Sequence, residues 1–134
     1  MTTLTTRGFE TRGALDSALE ERLAQAIAIA RPRAIMLSGG HTPLPAYRAL
    51  ASQPLPHDER LHVLFSDERY VPRDSEASNY HQARPLLDAL ALAPESLLRV
   101  RTELPLEEAA AVSHSPQTCH PGGVPRSRGA RRRA

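Results

Sequence analysis

Apolar residues recur every three or four positions between residues 14 and 30. Leu15, Leu19, Leu23, Ile27 and Ala30 form the series, with Asp16, Glu20, Glu21 and Gln25 among them. One apolar stripe on a 3.6-residue period predicts an amphipathic helix over 14–30. Arg31-Pro32 ends it, because the residue before a proline is pushed out of the helical region. The pattern then shortens. Ala34–Leu37 is a brief apolar run between turn signals and reads as a buried strand. A helix is expected over 43–51 with Leu44, Tyr47 and Leu50 on one face, then a loop marked by Pro54 and Pro56, then a second strand at Leu61–Phe65. Residues 70–77 read as a polar loop. Ser78–Leu90 reads as a helix disturbed around Pro85, Leu97–Val100 as a third strand, and Leu106–Ala111 as the start of another helix. Glu107 and Glu108 fall in its first turn, where the helix dipole favours acids.

Strands alternating with helices predict an α/β fold with a parallel sheet and right-handed crossovers. The alternation stops after residue 111. All 18 leucines lie before that point, and residues 112–134 hold five Arg, three Pro and three Gly. Such a segment buries too little apolar surface to offset chain entropy. The expected organisation is therefore a domain over 1–111 followed by a disordered Arg/Pro/Gly-rich tail over 112–134.

Composition narrows the class. A chain of 134 residues is one domain's worth. The 40% apolar content supports a core, but with three Tyr, two Phe and no Trp the aliphatic residues must fill it. No run approaches the ~20 apolar residues that cross a bilayer, and residues 1–7 lack the layout of a signal peptide. Cys119 is the single cysteine, so no internal disulfide forms and the cytoplasm is the expected compartment.

The formal net charge of +2 conceals a split: −3 before residue 112 and +5 after it. Every basic residue is Arg, which suits a GC-rich coding sequence. GC-rich DNA read out of frame yields Arg, Pro, Gly, Ala and Ser, so the abrupt change in mid-helix is expected to mark a shifted reading frame.

The chemistry gathers behind the strands, since ligands of open parallel sheets bind beyond the strands' carboxyl ends. Ser38-Gly39-Gly40-His41-Thr42-Pro43 follows the first strand and Ser66-Asp67-Glu68-Arg69 the second. Gly39 and Gly40 allow positive φ and close approach of backbone amides to an anion. Thr42 suits an N-cap and Pro43 the first helical position. Pro45 then removes another first-turn N–H, so an anion would lean on the loop amides and the Thr42 hydroxyl. The alternative is an ordinary strand-to-helix turn with a cap. The planar fork of Arg69 suits a phosphate, the alternative being a surface ion pair within Asp67-Glu68-Arg69. Asn79 either caps a helix, orients a loop or touches a ligand. His62 reads as a strand-face residue, and His57 and His81 as solvated. His114, Cys119 and His120 lack the regular spacing and fourth ligand of a zinc site, so no metal is expected. The Arg128–Arg133 run lacks interleaved aromatics and reads as a solvated tail rather than a nucleic-acid arm.

The series Ser38–Leu50, Asp67–Pro72 and Ser78-Asn79 resembles, in order and spacing, the N-terminal half of 6-phosphogluconolactonase over roughly residues 8–111. The wider superfamily includes glucosamine-6-phosphate deaminase, which usually carries an Asp-Glu-Tyr where this chain has Asp67-Glu68-Arg69. Arg69, Val71-Pro72 and Ser78-Asn79 favour the lactonase, with the deaminase/isomerase or a non-catalytic sugar-phosphate binding remnant as alternatives.

The resemblance implies an incomplete Rossmann-like parallel sheet with flanking helices. It implies hydrolysis of 6-phospho-D-glucono-1,5-lactone to 6-phosphogluconate, in the pentose phosphate pathway, without metal or organic cofactor. Gly39, Gly40, His41, Thr42 and Arg69 would bind the phosphate, with Ser38, Asp67 and Asn79 in support. His41 stands where the family often has Ser, an imidazole N–H replacing a hydroxyl. Asp67 would orient Arg69 or a loop.

The family's general base is a histidine in a Gly-x-Asp-Gly-His segment of its second half, and no such segment occurs in this sequence. A positioned base supplies ~10²–10⁴ in rate. At most weak phosphate binding and little lactonase activity are therefore expected of this chain. Three parallel strands without further neighbours should also expose an apolar sheet edge and uncovered helix faces, and lower solubility. The sequence sets no oligomeric state.

Overall fold

The computed structural model describes residues 3–114. Four helices, α1 (Arg12–Ala28), α2 (Leu44–Ala51), α3 (Asn79–Leu90) and α4 (Leu106–His114), alternate with three strands, β1 (Arg33–Leu37), β2 (Leu61–Phe65) and β3 (Leu97–Leu98). A 3-10 turn, Pro94–Ser96, leads into β3. The sheet is parallel in the order β1-β2-β3. This is the α/β arrangement with a parallel sheet and flanking helices anticipated from the alternation of strands and helices.

Two successive right-handed crossovers running in one direction put their helices on the same face of a sheet. The core reflects this. Leu37, Leu61 and Val63 meet Ile27 of α1, Leu44, Tyr47 and Leu50 of α2, and Ala83, Leu86, Leu87 and Leu90 of α3, all buried. Ile35, Phe65 and Leu97 pack against this cluster from the same side of the strands. The apolar stripe expected on α2 is the stripe that is buried.

The opposite face of the sheet carries Met36, Leu64 and Leu98, aligned across the three strands by the register Met36↔Leu64↔Leu98. Met36 is 61% exposed and Leu98 38%. The exposed apolar surface expected of a three-stranded sheet is therefore a face more than an edge. An open cleft of about 670 Å³, lined by Leu64, Leu98, Arg73, Arg101 and Val112 among others, lies against this side.

Several boundaries differ from the sequence reading for identifiable reasons. α1 begins at Arg12 because the Thr11 hydroxyl caps it, accepting from Ala14 N at 3.1 Å. It ends at Ala28 rather than residue 30. The Arg33 guanidinium takes the carbonyls of Ala26, at 3.0 Å, and of Ile27, satisfying acceptors that the last turn leaves open. The same guanidinium pairs with Asp58 at 3.0 Å, which ties α1 to the segment entering β2.

α3 is unbroken through Pro85, against the expected disturbance. Its apolar face, buried at Ala83, Leu86, Leu87 and Leu90, outweighs the single backbone bond a proline removes. β3 is two residues long instead of four. Arg99 leaves the ladder to stack over the Tyr80 ring, 4.9 Å from its centroid, and to bond Glu103 at 2.8 Å. α4 continues through Val112 to His114, past the boundary drawn at residue 111. The remainder of the expected tail, with Cys119, His120 and the arginine run, lies outside the described residues.

Candidate functional site

β1 and β2 are parallel and in register from Arg33↔Leu61 to Leu37↔Phe65, so the segments that follow them leave the sheet at one edge. Ser66 N donates to Leu37 O at 2.9 Å and continues the pairing one step into the loops. The two candidate phosphate-binding segments, Ser38–Thr42 and Ser66–Arg69, thus start side by side.

The first turn of α3 joins them. Asn79 is 3% exposed. Its carboxamide fills the space beside the Gly39 Cα, where any Cβ would overlap it, and its Nδ2 donates to Asp67 O at 3.0 Å. One side chain therefore touches both strand tips. Three residues along the same helical face, Gln82 Oε1 accepts from Gly40 N at 3.2 Å. Gly40 holds φ 85, a left-handed conformation that favours glycine. Tyr47 completes the first segment: its hydroxyl donates to Ser38 O at 2.9 Å and accepts from Ser38 N at 3.2 Å. Burial pushes the Tyr47 phenol above its usual value, against the opposing effect of its bond to the Ser38 backbone.

Glu68 is the hub of the second segment. Oε1 accepts from Asn79 N at 2.7 Å and from Arg69 N at 2.8 Å; Oε2 accepts from Tyr80 N at 2.9 Å and from Ser78 Oγ at 3.1 Å. Ser78 Oγ in turn accepts from His81 N at 3.2 Å. The free amides opening α3 are thereby satisfied by a carboxylate and a hydroxyl, a negative charge lying where the helix dipole is positive. The alternative, a surface ion pair within Asp67-Glu68-Arg69, is not formed. The Asp67 carboxylate accepts from Ser66 Oγ at 3.0 Å, Glu68 is spent on amides, and the exposed Arg69 guanidinium has no hydrogen-bonding or ionic partner among the described residues.

Two local expectations are corrected. Thr42 is not the cap of α2: Pro43 holds that position in a helical conformation without a side-chain bond, and the Thr42 carbonyl accepts from Arg12 at 2.7 Å. Asn79 is not the cap of α3 either, since Ser78 is. His41 is exposed, as are Thr42 and Ser38. His81, expected to be solvated, is half-buried, with Nδ1 lacking a hydrogen-bond partner. No group of described residues could hold a metal ion, and no described helix is long and apolar enough to cross a membrane.

Glu68, Gln82 and Tyr47 are the parts of this arrangement that motif reading did not single out. Gln82 lies 42 positions from its partner, and nothing local in the sequence signals that contact. For Glu68 a signal existed: a carboxylate at a strand tip, with a Ser-Asn helix start ten residues later, can cap in trans.

Residues 10–126 match the family described as glucosamine-6-phosphate isomerases/6-phosphogluconolactonase, and the chain belongs to it. Among curated relatives, it is 45% identical over 76 residues to the 6-phosphogluconolactonase of Thermotoga maritima, covering 56% of this chain and 34% of that protein. To the enzyme of the same name from Synechocystis it is 51% identical over 63 residues, 47% of this chain and 26% of the relative. A crystal structure of 6-phosphogluconolactonase from Thermotoga maritima superimposes with a TM-score of 0.61 at 31% identity, over 76% of this chain and 47% of that one. The chain therefore spans about a third of the length, or less, of these curated relatives.

Proposed function

We propose that this chain forms the phosphoryl-gripping part of a 6-phosphogluconolactonase, the enzyme that hydrolyses 6-phospho-D-glucono-1,5-lactone to 6-phosphogluconate in the pentose phosphate pathway. The observation carrying this reading is the Asn79 side chain, which locks the Gly39 turn and the Asp67 carbonyl together at one edge of the sheet. The phosphate is held by the Gly39–Thr42 turn, with His41 and Thr42 offering exposed polar side chains, and by Arg69, whose guanidinium has no partner among the described residues. Ser38, Asp67 and Asn79 support the two loops. Pro43 and Pro45 contribute no N–H to α2, so the turn contributes more to anion binding than the helix does.

The lactone ring then lies over the strand tips, where water attacks the carbonyl and the ring oxygen leaves. The lactonase is favoured over the deaminase by Arg69 and by the relatives compared above, which carry the lactonase name. Neither a metal nor an organic cofactor enters this scheme, and the setting is cytoplasmic carbohydrate metabolism. The domain reading is carried forward in the same way: residues 1–111 as the N-terminal part of the domain and residues 112–134 as a basic segment produced by a frame change, with the family match itself running on to residue 126.

The test combines binding and turnover. Titrating the chain with 6-phosphogluconate should give saturable binding that Arg69→Ala weakens at least tenfold and Arg69→Lys restores in part. Lactone hydrolysis by the chain alone should remain near the spontaneous rate, because no residue here is assigned as the general base. Hydrolysis at ~10 per second or faster, a rate typical of enzymes, would contradict that assignment. Binding indifferent to Arg69 would defeat the phosphate site.

A further inference from the structure

The Gly40 amide, one of the donors a phosphoryl oxygen would use, is already engaged. Gln82 Oε1 sits on it at 3.2 Å. Gln82 is held from its other end, where Nε2 donates to Glu76 O at 3.0 Å. The carboxamide thus bridges the loop that precedes α3 and the turn that follows β1. It meets a residue whose φ of 85 gives that amide its particular direction.

A carboxamide oxygen is a neutral acceptor with the reach and lone-pair geometry of one phosphoryl oxygen. Its bond to an N–H is weaker than the one a charged phosphate oxygen makes to the same donor, by roughly a factor of two. An incoming phosphate can therefore take the amide, while in its absence the amide stays bonded and aimed. Asn79 works differently: its 3% exposure and its bond to Asp67 O make it a fixed part of the frame. Gln82, half-buried and without a bond to Asp67 or Glu68, can swing away without disturbing that frame.

We propose that Gln82 is a placeholder on the phosphate turn. It occupies the Gly40 amide in the free protein, yields it to the phosphoryl group, and so sets the affinity of the site. The inference rests on the phosphate-binding reading above and adds a positioning residue to it. Gln82 does not touch the reacting carbon in this scheme; it acts through Gly40.

The experiment is a 15N-HSQC titration of the 134-residue chain with inorganic phosphate and with 6-phosphogluconate, following the Gly40 amide. The variants are Gln82→Met, which keeps the bulk and loses the carboxamide, and Gln82→Glu, which puts a carboxylate on the same donor. In the free protein, Gln82→Met should shift the Gly40 resonance. At saturation, wild type and Gln82→Met should share one Gly40 shift, because Gln82 is no longer bonded there. Removing a neutral competitor should tighten binding roughly three- to tenfold. Gln82→Glu should weaken it at least tenfold by charge repulsion and a stronger bond to the amide.

If wild type binds and Gln82→Met binds no tighter, or the saturated shifts differ, the placeholder is refuted and the phosphate site stands. If wild type and both variants give folded spectra that neither ligand perturbs, the phosphate reading fails and takes the placeholder with it. A Gln82→Met spectrum that has lost its dispersion would make Gln82 part of the scaffold, and would equally refute the proposal.

Discussion

The Asn79 carboxamide occupies the space that a Cβ on Gly39 would need. A residue at the start of α3 thereby requires glycine just past the end of β1, forty positions earlier, and its bond to Asp67 O ties the loops that follow β1 and β2 to one side chain.

Gly39→Ala should consequently be costly, although alanine is the smallest possible addition. The new methyl must displace a buried side chain and its hydrogen bond. Overpacking of this kind costs about 1–3 kcal/mol. Chemical denaturation of the variant checks it. Gly13, where a Cβ meets nothing within 4 Å, serves as the control, and Gly13→Ala should be neutral or slightly stabilising within α1.

Glu68→Gln should loosen the start of α3. The carboxylate accepts four donors, and an amide can accept on one side only while presenting N–H groups to the others. A loss of about 1–3 kcal/mol is expected. Amide exchange should rise first at Asn79 and Tyr80, whose N–H groups lose their acceptor. Unchanged protection at these two positions would show that the Ser78 cap alone holds the turn.

Acid should weaken the fold through two carboxylates. The Arg99 side-chain bond holds the Glu103 carboxyl down to about 2, from an ordinary 4.5, against its partial desolvation. Asp58 is held well below its usual value by Arg60 first and Arg33 second. Both folded values lie below the unfolded ones, so the stabilisation is complete above about pH 4.5 and drains away as pH falls toward 2. Thermal melts from pH 6 to pH 2 should show the decline. Arg99→Met should flatten part of it, and high salt should reduce the effect of these solvent-accessible pairs.

Replacing Met36 and Leu98 with lysine should reduce self-association without unfolding the chain. Both face away from the core, and they flank Leu64 in one apolar row. Sedimentation velocity of the double variant should show less aggregate than wild type at equal concentration. Loss of the folded signal instead would mean that this face is covered by packing that exposure does not reveal.

Much of the frame was legible along the chain because its causes are local. β2 runs Leu61–Phe65 as its apolar run suggests, and α2 buries Leu44, Tyr47 and Leu50 on the period that placed them there. Turn chemistry at Gly39-Gly40 pointed to a loop that needs unusual backbone geometry, and Gly40 has it. The readings that failed depended on side-chain partners outside the element itself, which periodicity does not register. The last turn of α1 stops where Arg33 reaches its carbonyls, and β3 stops where Arg99 finds Tyr80 and Glu103.

Periodicity and turn residues alone determined that this chain makes strands alternating with helices, and that its polar, glycine-rich segments sit at strand ends. Only the tertiary structure decided how those segments are held: by Asn79 against Gly39, Gln82 on Gly40, and Glu68 across the start of α3. The physical reason is range. A helix or strand pattern is written within a few residues, whereas a hydrogen bond between side chain and distant backbone exists only after packing has brought both ends within about 3 Å.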